Sequence, residues 1–117
     1  MRSVCQLTAS HTYHMYMAPV DMRKSFHGLQ GIINDAFGPY LSSEEVFVFV
    51  GKNKKTMKIF HREGNGVTLY IRRLATGCFQ IPDWDNDGKS CTLNYNDFVL
   101  LALGENFTSK HIENAFK

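Results

Sequence analysis

Long apolar runs, cysteines at useful spacing and catalytic signatures are all missing from this 117-residue sequence. Its longest uninterrupted apolar stretches, Val46–Val50 and Phe98–Leu103, are five and six residues long. A membrane-spanning helix needs about 20, so no membrane partner is expected. Met1–Ser10 carries one arginine and lacks the apolar centre and small-residue cleavage site of a secretory signal, so no export is expected. The cysteines, Cys5, Cys78 and Cys91, are odd in number and widely spaced. That pattern fits neither a disulfide framework nor a zinc site and suits reduced thiols in the cytoplasm. Low-complexity tracts and internal repeats are absent too, which argues against solenoids and coiled coils.

The chemistry-bearing motifs fail in the same way. No Gly-x-Ser-x-Gly elbow occurs, and no glycine-rich loop precedes a helix; Gly64-Asn65-Gly66 lies between strand patterns and reads as a hairpin turn. His-Glu-x-x-His and Cys-x-x-Cys are absent, and His11 and His14, three apart on a strand, point to opposite faces. Asp83-Trp84-Asp85-Asn86-Asp87-Gly88 opens like a calcium loop, but Asn94 stands where a bidentate Glu is wanted and Pro82 replaces an entering helix. It reads as an acidic surface loop. No catalytic residue, metal or cofactor is expected, and the chain is not read as an enzyme.

What is present is an ordinary globular balance, 44% hydrophobic, 21% charged and 13% aromatic, enough for a single domain over residues 1–117 that buries roughly two-thirds of its unfolded surface. His11–Met17 alternates as a strand. Asp21 is a candidate N-cap for a helix over Met22–Phe37, whose apolar positions step by three or four until Gly38-Pro39. Gly28 and Gly31 cost that helix about 1 kcal/mol each relative to Ala, a sign of close packing or of weakness. Val46–Val50, Met57–Phe60, Val67–Leu74 and Cys78–Ile81 read as strands joined by short turns, and Asn94 or Asn96 caps a last helix near Phe98–Leu103 that ends at Gly104. The order predicts an α+β fold: an N-terminal strand, a helix, an antiparallel meander of three to four strands, and a C-terminal helix packed on the sheet, with both helices on one sheet face.

Charge is unevenly spread. The formal total is +2, yet residues 52–73 hold seven basic side chains against the single acid Glu63, so the remainder of the chain is net negative. Lys52, Lys54, Lys55, Lys58, Arg72 and Arg73 in this stretch are candidate phosphate contacts, the lysines of the turn because long side chains there reach outward. Arg72 and Arg73 point to opposite sheet faces. Arg23 and Lys24, one turn into the expected first helix, form a second candidate phosphate site with free helix N–H groups.

These blocks, in order, resemble a known family. Val20-Asp21-Met22-Arg23-Lys24-Ser25-Phe26-His27-Gly28-Leu29, then Val46-Phe47-Val48-Phe49, Lys52 to Lys55 and Met57-Lys58-Ile59-Phe60, then Gly64-Asn65-Gly66, Leu69-Tyr70, Arg72-Arg73-Leu74, Gly77-Cys78-Phe79 and Pro82, and finally Leu93 to Gly104 look like the TnpB-type accessory proteins of bacterial IS66 insertion sequences. The resemblance covers roughly residues 13–104 and leaves 105–117 as a polar extension. Where the family has an arginine-rich turn this chain has Lys52-Asn53-Lys54-Lys55, which keeps the charge but not the bidentate geometry toward phosphate. The resemblance implies a non-catalytic accessory of transposition with two expected partners, DNA at the element ends and the cognate transposase. The 52–73 region is expected to contact DNA phosphates. The alternative is an adaptor that docks on the transposase through a strand edge or the Phe98–Leu103 helix without touching DNA.

Overall fold

The computed structural model describes residues 7–38, 45–63, 66–81 and 90–104. Five strands and two helices follow in the order β1 (Thr12–Tyr16), α1 (Phe26–Phe37), β2 (Glu45–Val50), β3 (Thr56–Glu63), β4 (Gly66–Arg73), β5 (Ser90–Leu93) and α2 (Tyr95–Leu103). They form one mixed sheet in the order β4-β3-β2-β1-β5. β1 and β2 are parallel, with α1 carrying the crossover, while β2, β3 and β4 form the antiparallel meander expected from their short turns. Glu63 pairs with Gly66, as a tight hairpin requires. The calcium-like loop at 83–88 and the extension at 105–117 lie outside the described residues.

β2 explains the layering. Its five residues Val46–Val50 are all buried, as a continuous apolar run demands of a strand covered on both sides. Val46, Val48 and Val50 pack with Tyr13, Met15, Met57 and Ile59 under Phe98 and Leu101 of α2. Phe47 and Phe49 pack with Phe60 and Val20 under Leu29 and Ile33 of α1. The helices therefore cover opposite faces instead of sharing one, because β2 alternates valine and phenylalanine and each set needs its own cover.

Two further expectations are corrected. The first helix begins at Phe26, not Met22, because the Asp21 carboxylate accepts from the Arg23 backbone N–H (2.9 Å) and guanidinium (2.8 Å) and so closes a separate turn. Cys78–Ile81 is irregular; the Phe79 N–H donates to the Lys54 carbonyl (2.7 Å) instead of to a strand partner. In its place the sheet gains β5, antiparallel to β1. At α2 the local signals hold: Asn94 accepts from Asp97 N–H (2.8 Å), and Gly104 ends the helix with φ 81°.

The end of the sheet where β3 turns into β4 carries Glu45, Glu63, His11, His14 and His61, together with the exposed Arg62. His11 lies edge-on to His61, with ring centroids 4.7 Å apart, while His14 stacks on Phe47 on the opposite face, as their spacing on a strand predicts. His14 Nε2 is 3.2 Å from Glu45. Glu63 accepts from the Tyr70 hydroxyl at 2.7 Å and the Thr68 hydroxyl at 3.3 Å, and lies 2.9 Å from His61 Nδ1. Burial pushes its carboxyl up, but those bonds outweigh it and hold the carboxyl below its ordinary value of 4.5.

α1 has little support of its own. Ser25 makes no side-chain cap, the first turn has no acid, and the last has no base, so packing of Leu29 and Ile33 holds it in place. A Cβ on Gly31 would meet nothing within 4 Å. Gly31→Ala should therefore stabilise the protein by about 1 kcal/mol, a rise of roughly 4 °C in Tm by calorimetry. A lowered Tm would contradict this placement. For Glu63, a carboxyl depressed in the folded state stabilises above its unfolded pKa, and that contribution is lost as pH falls through the folded value. Tyr70→Phe should then be less stable than the parent by about 1 kcal/mol at neutral pH. In denaturant titrations the gap should narrow as pH falls below the ordinary carboxylate value and on through the lower folded one; a gap independent of pH would contradict it.

Candidate nucleic-acid interface

The turn between β2 and β3 is built tightly from Gly51 to Lys55. Gly51 N–H donates to the Thr56 carbonyl (3.0 Å), Lys54 N–H to the Gly51 carbonyl (2.9 Å), and Lys55 N–H to the Asn53 side-chain oxygen (3.0 Å). Lys54 takes φ 61°, a left-handed conformation that costs a lysine roughly 1–2 kcal/mol. Glycine or asparagine would hold the position with less strain.

Two segments brace this turn. On one side the chain leaving β4 wraps it: Leu74 N–H donates to the Lys55 carbonyl (3.0 Å), Phe79 N–H to the Lys54 carbonyl, and Lys55 Nζ to the Gly77 carbonyl (3.1 Å). On the other, Val20 N–H donates to the Val50 carbonyl (3.0 Å), which seats Met22 against Gly51. A Cβ on Gly51 would lie 2.6 Å from Met22 Cγ, so glycine permits this approach. Between the turn and this segment runs a shallow groove of about 400 Å³ lined by Val20, Asp21, Met22, Gly51, Lys52, Asn53 and Thr56.

The fold thus gathers candidate cations from three separate stretches. Arg23 and Lys24 arrive with the segment before α1, Lys52, Lys54 and Lys55 with the turn, and Arg72 and Arg73 with the end of β4, which pairs alongside the start of β3. Lys52 and Lys55 are exposed and Lys54 is half-buried. Arg73 donates to the Thr56 hydroxyl (3.4 Å) on the α1 side; Arg72 donates through Nε to the Ala102 carbonyl at the end of α2. Both keep further guanidinium N–H groups for another acceptor. Asp21 is the acid in this group; the Arg23 hydrogen bonds hold its carboxyl well below the usual carboxylate range, and the Asp21 carboxylate in turn raises the basicity of Arg23.

Lys58 stands apart from the other candidates. It is only 8% exposed, and its Nζ donates to the Lys24 carbonyl at 2.6 Å. It ties the segment before α1 to the sheet, and so positions Arg23 and Lys24 without pointing outward itself. Strand alternation carried that signal, since Lys58 shares a face with Phe60, which α1 covers. The bracing by 74–79 had no local signal, because it joins backbone groups about 20 residues apart. Among the described residues, no cluster of three His, Cys, Asp or Glu side chains could hold a metal ion, and no helix is long and apolar enough to cross a membrane.

The chain is similar to the uncharacterized protein y4jC of Sinorhizobium fredii (strain NBRC 101917 / NGR234), 29% identical over 92 residues that cover 77% of this chain and 75% of that one. No solved structure matches it. The profile of the family described as IS66 Orf2 like protein matches residues 11–112, nearly all of the chain, and it includes every element and cation described above. The chain belongs to the IS66 Orf2 like protein family, and with it to the proteins of insertion-sequence transposition.

Proposed function

We propose that this protein is a non-catalytic accessory of transposition that holds DNA, at the ends of the element, by its phosphates. The contacts are Lys52, Lys54 and Lys55 on the braced turn, with Arg23, Lys24, Arg72 and Arg73 around them. It works in the cytoplasm beside the cognate transposase. The observation that carries this reading is the convergence of cations from three chain segments on one end of the sheet. Duplex DNA presents a phosphate every 1.7 Å or so of axis, and cations fixed in place lose less side-chain freedom when they meet it than scattered ones do.

Lysines give sequence-independent grip more readily than base discrimination. Any preference for the element ends then comes from the arginines, from DNA shape, or from the transposase bound alongside. If the protein instead acts only as an adaptor, charge reversal on the turn will leave its co-purification with the transposase intact and DNA binding will be absent.

Binding to a duplex carrying the terminal repeat, against a scrambled duplex, at two salt concentrations tests the proposal. Affinity should fall steeply with salt, and Lys54→Glu with Lys55→Glu should weaken it at least about tenfold and flatten the log–log salt slope by about 2. Lys54→Gly separates charge from folding, since it should keep or raise Tm while lowering affinity. Binding that is absent at low salt, or indifferent to these changes, would overturn the proposal.

A further inference from the structure

The two edges of the sheet are not equally protected. β5, at one edge, is four residues long. β4, at the other, is eight residues without proline, and its charges are confined to Arg72 and Arg73 at one end. Among the described residues β4 pairs only with β3. A long edge of this kind presents a row of backbone donors and acceptors to any strand that fits. Its α1-side face carries Val67, Leu69 and Ile71, and Ile71 is 60% exposed. Phe26, 37% exposed, lies on the same side, stacked on Phe60, which pairs with Leu69. An apolar strip thus runs up to the open edge.

We infer that β4 pairs antiparallel with β4 of a second copy of this chain, Ile71 opposite Leu69 and Tyr70 opposite Tyr70, joining the two sheets into one. The sequence of the strand is self-complementary in this register. On the α1 side, Leu69 and Ile71 of both copies form one block of four apolar side chains, which removes the exposed Ile71 from water. On the other side, Arg72 of each copy lies opposite Thr68 of the second, and the Thr68 hydroxyl already donates to Glu63. The cation of one copy is therefore set beside the carboxylate of the other, twice, as two-fold symmetry requires. Parallel pairing would instead stack the two Arg72-Arg73 pairs on each other, and a one-residue slip would put apolar residues opposite the wrong face. Lys52–Lys55 take no part in the pairing, so it forms whatever the lysine turn binds; Arg72 is shared, counted above among the phosphate contacts and set here beside Glu63 of the second copy.

Sedimentation equilibrium of the full-length chain without DNA, across the micromolar range, tests it. The parent should be a reversible dimer. Ile71→Lys, a charge aimed into the pairing, and Ile71→Thr, which keeps strand propensity but removes apolar surface, should each weaken the dimer, the first by at least about tenfold. Circular dichroism and Tm should stay near the parent's, since Ile71 is exposed in the single copy; Ile71→Val should leave the dimer intact. A parent that stays monomeric, a dimer indifferent to Ile71→Lys, or a monomer that takes up a strand of the transposase at this edge would each overturn the inference.

Discussion

The arrangement rests on a single strand that is buried on both faces. Val46–Val50 has no side chain that tolerates water, so β2 must lie inside the sheet, with β1 and β3 at its flanks and a helix over each face. Removing a buried phenylalanine or valine from water is worth about 1.5–3 kcal/mol each, which makes this strand the least negotiable part of the fold. Because β2 ends at Val50, immediately before Gly51, the lysine turn grows directly out of that fixed point. The weakly capped α1 is held by Phe47, Phe49 and Phe60 beneath it, not by its own sequence.

From this follows the separation of charge along the sheet. The antiparallel register of β2, β3 and β4 fixes which turns share an end: the lysine turn with Arg72 and Arg73, and the β3–β4 hairpin with Glu63, His61 and Glu45. The two helices add to it. α1 starts beside Lys24, so its positive end reinforces the cationic side. α2 finishes on that side as well, but Arg72 bonds its Ala102 carbonyl and offsets the negative end. Among the described residues the candidate cations and the pair Glu45 and Glu63 therefore sit at opposite ends of the sheet, the asymmetry on which the proposed phosphate contact rests.

The sequence was most legible where structure is decided locally. The four strands β1–β4, the Glu63–Gly66 hairpin, and the Asn94 and Gly104 caps all rest on alternation or on turn and cap residues within a few positions. What depends on distant partners was not legible. β5 is a strand because β1 offers an edge, not because Ser90–Leu93 insists on it. Asp21 looked like a helix cap but bonds Arg23 instead. For Lys58 alternation gives the face, shared with Phe60, but not the Lys24 carbonyl that its ammonium meets there. The convergence of Arg23 and Lys24 on the lysine turn needed Gly51 and the Met22 contact. Neither can be read from the charge pattern, although the charge excess itself was plain.

The most direct test of the cationic end is a nuclear magnetic resonance titration of the isotope-labelled protein with a short duplex. Backbone and side-chain signals of residues 20–24, 51–56 and 72–79 should shift together as duplex is added, and the shifts should reverse with salt. Signals of Glu45, His61 and Glu63 at the far end should stay in place. Shifts centred on that far end, or on the outer face of α2 with the lysine turn unmoved, would contradict the assignment of the interface.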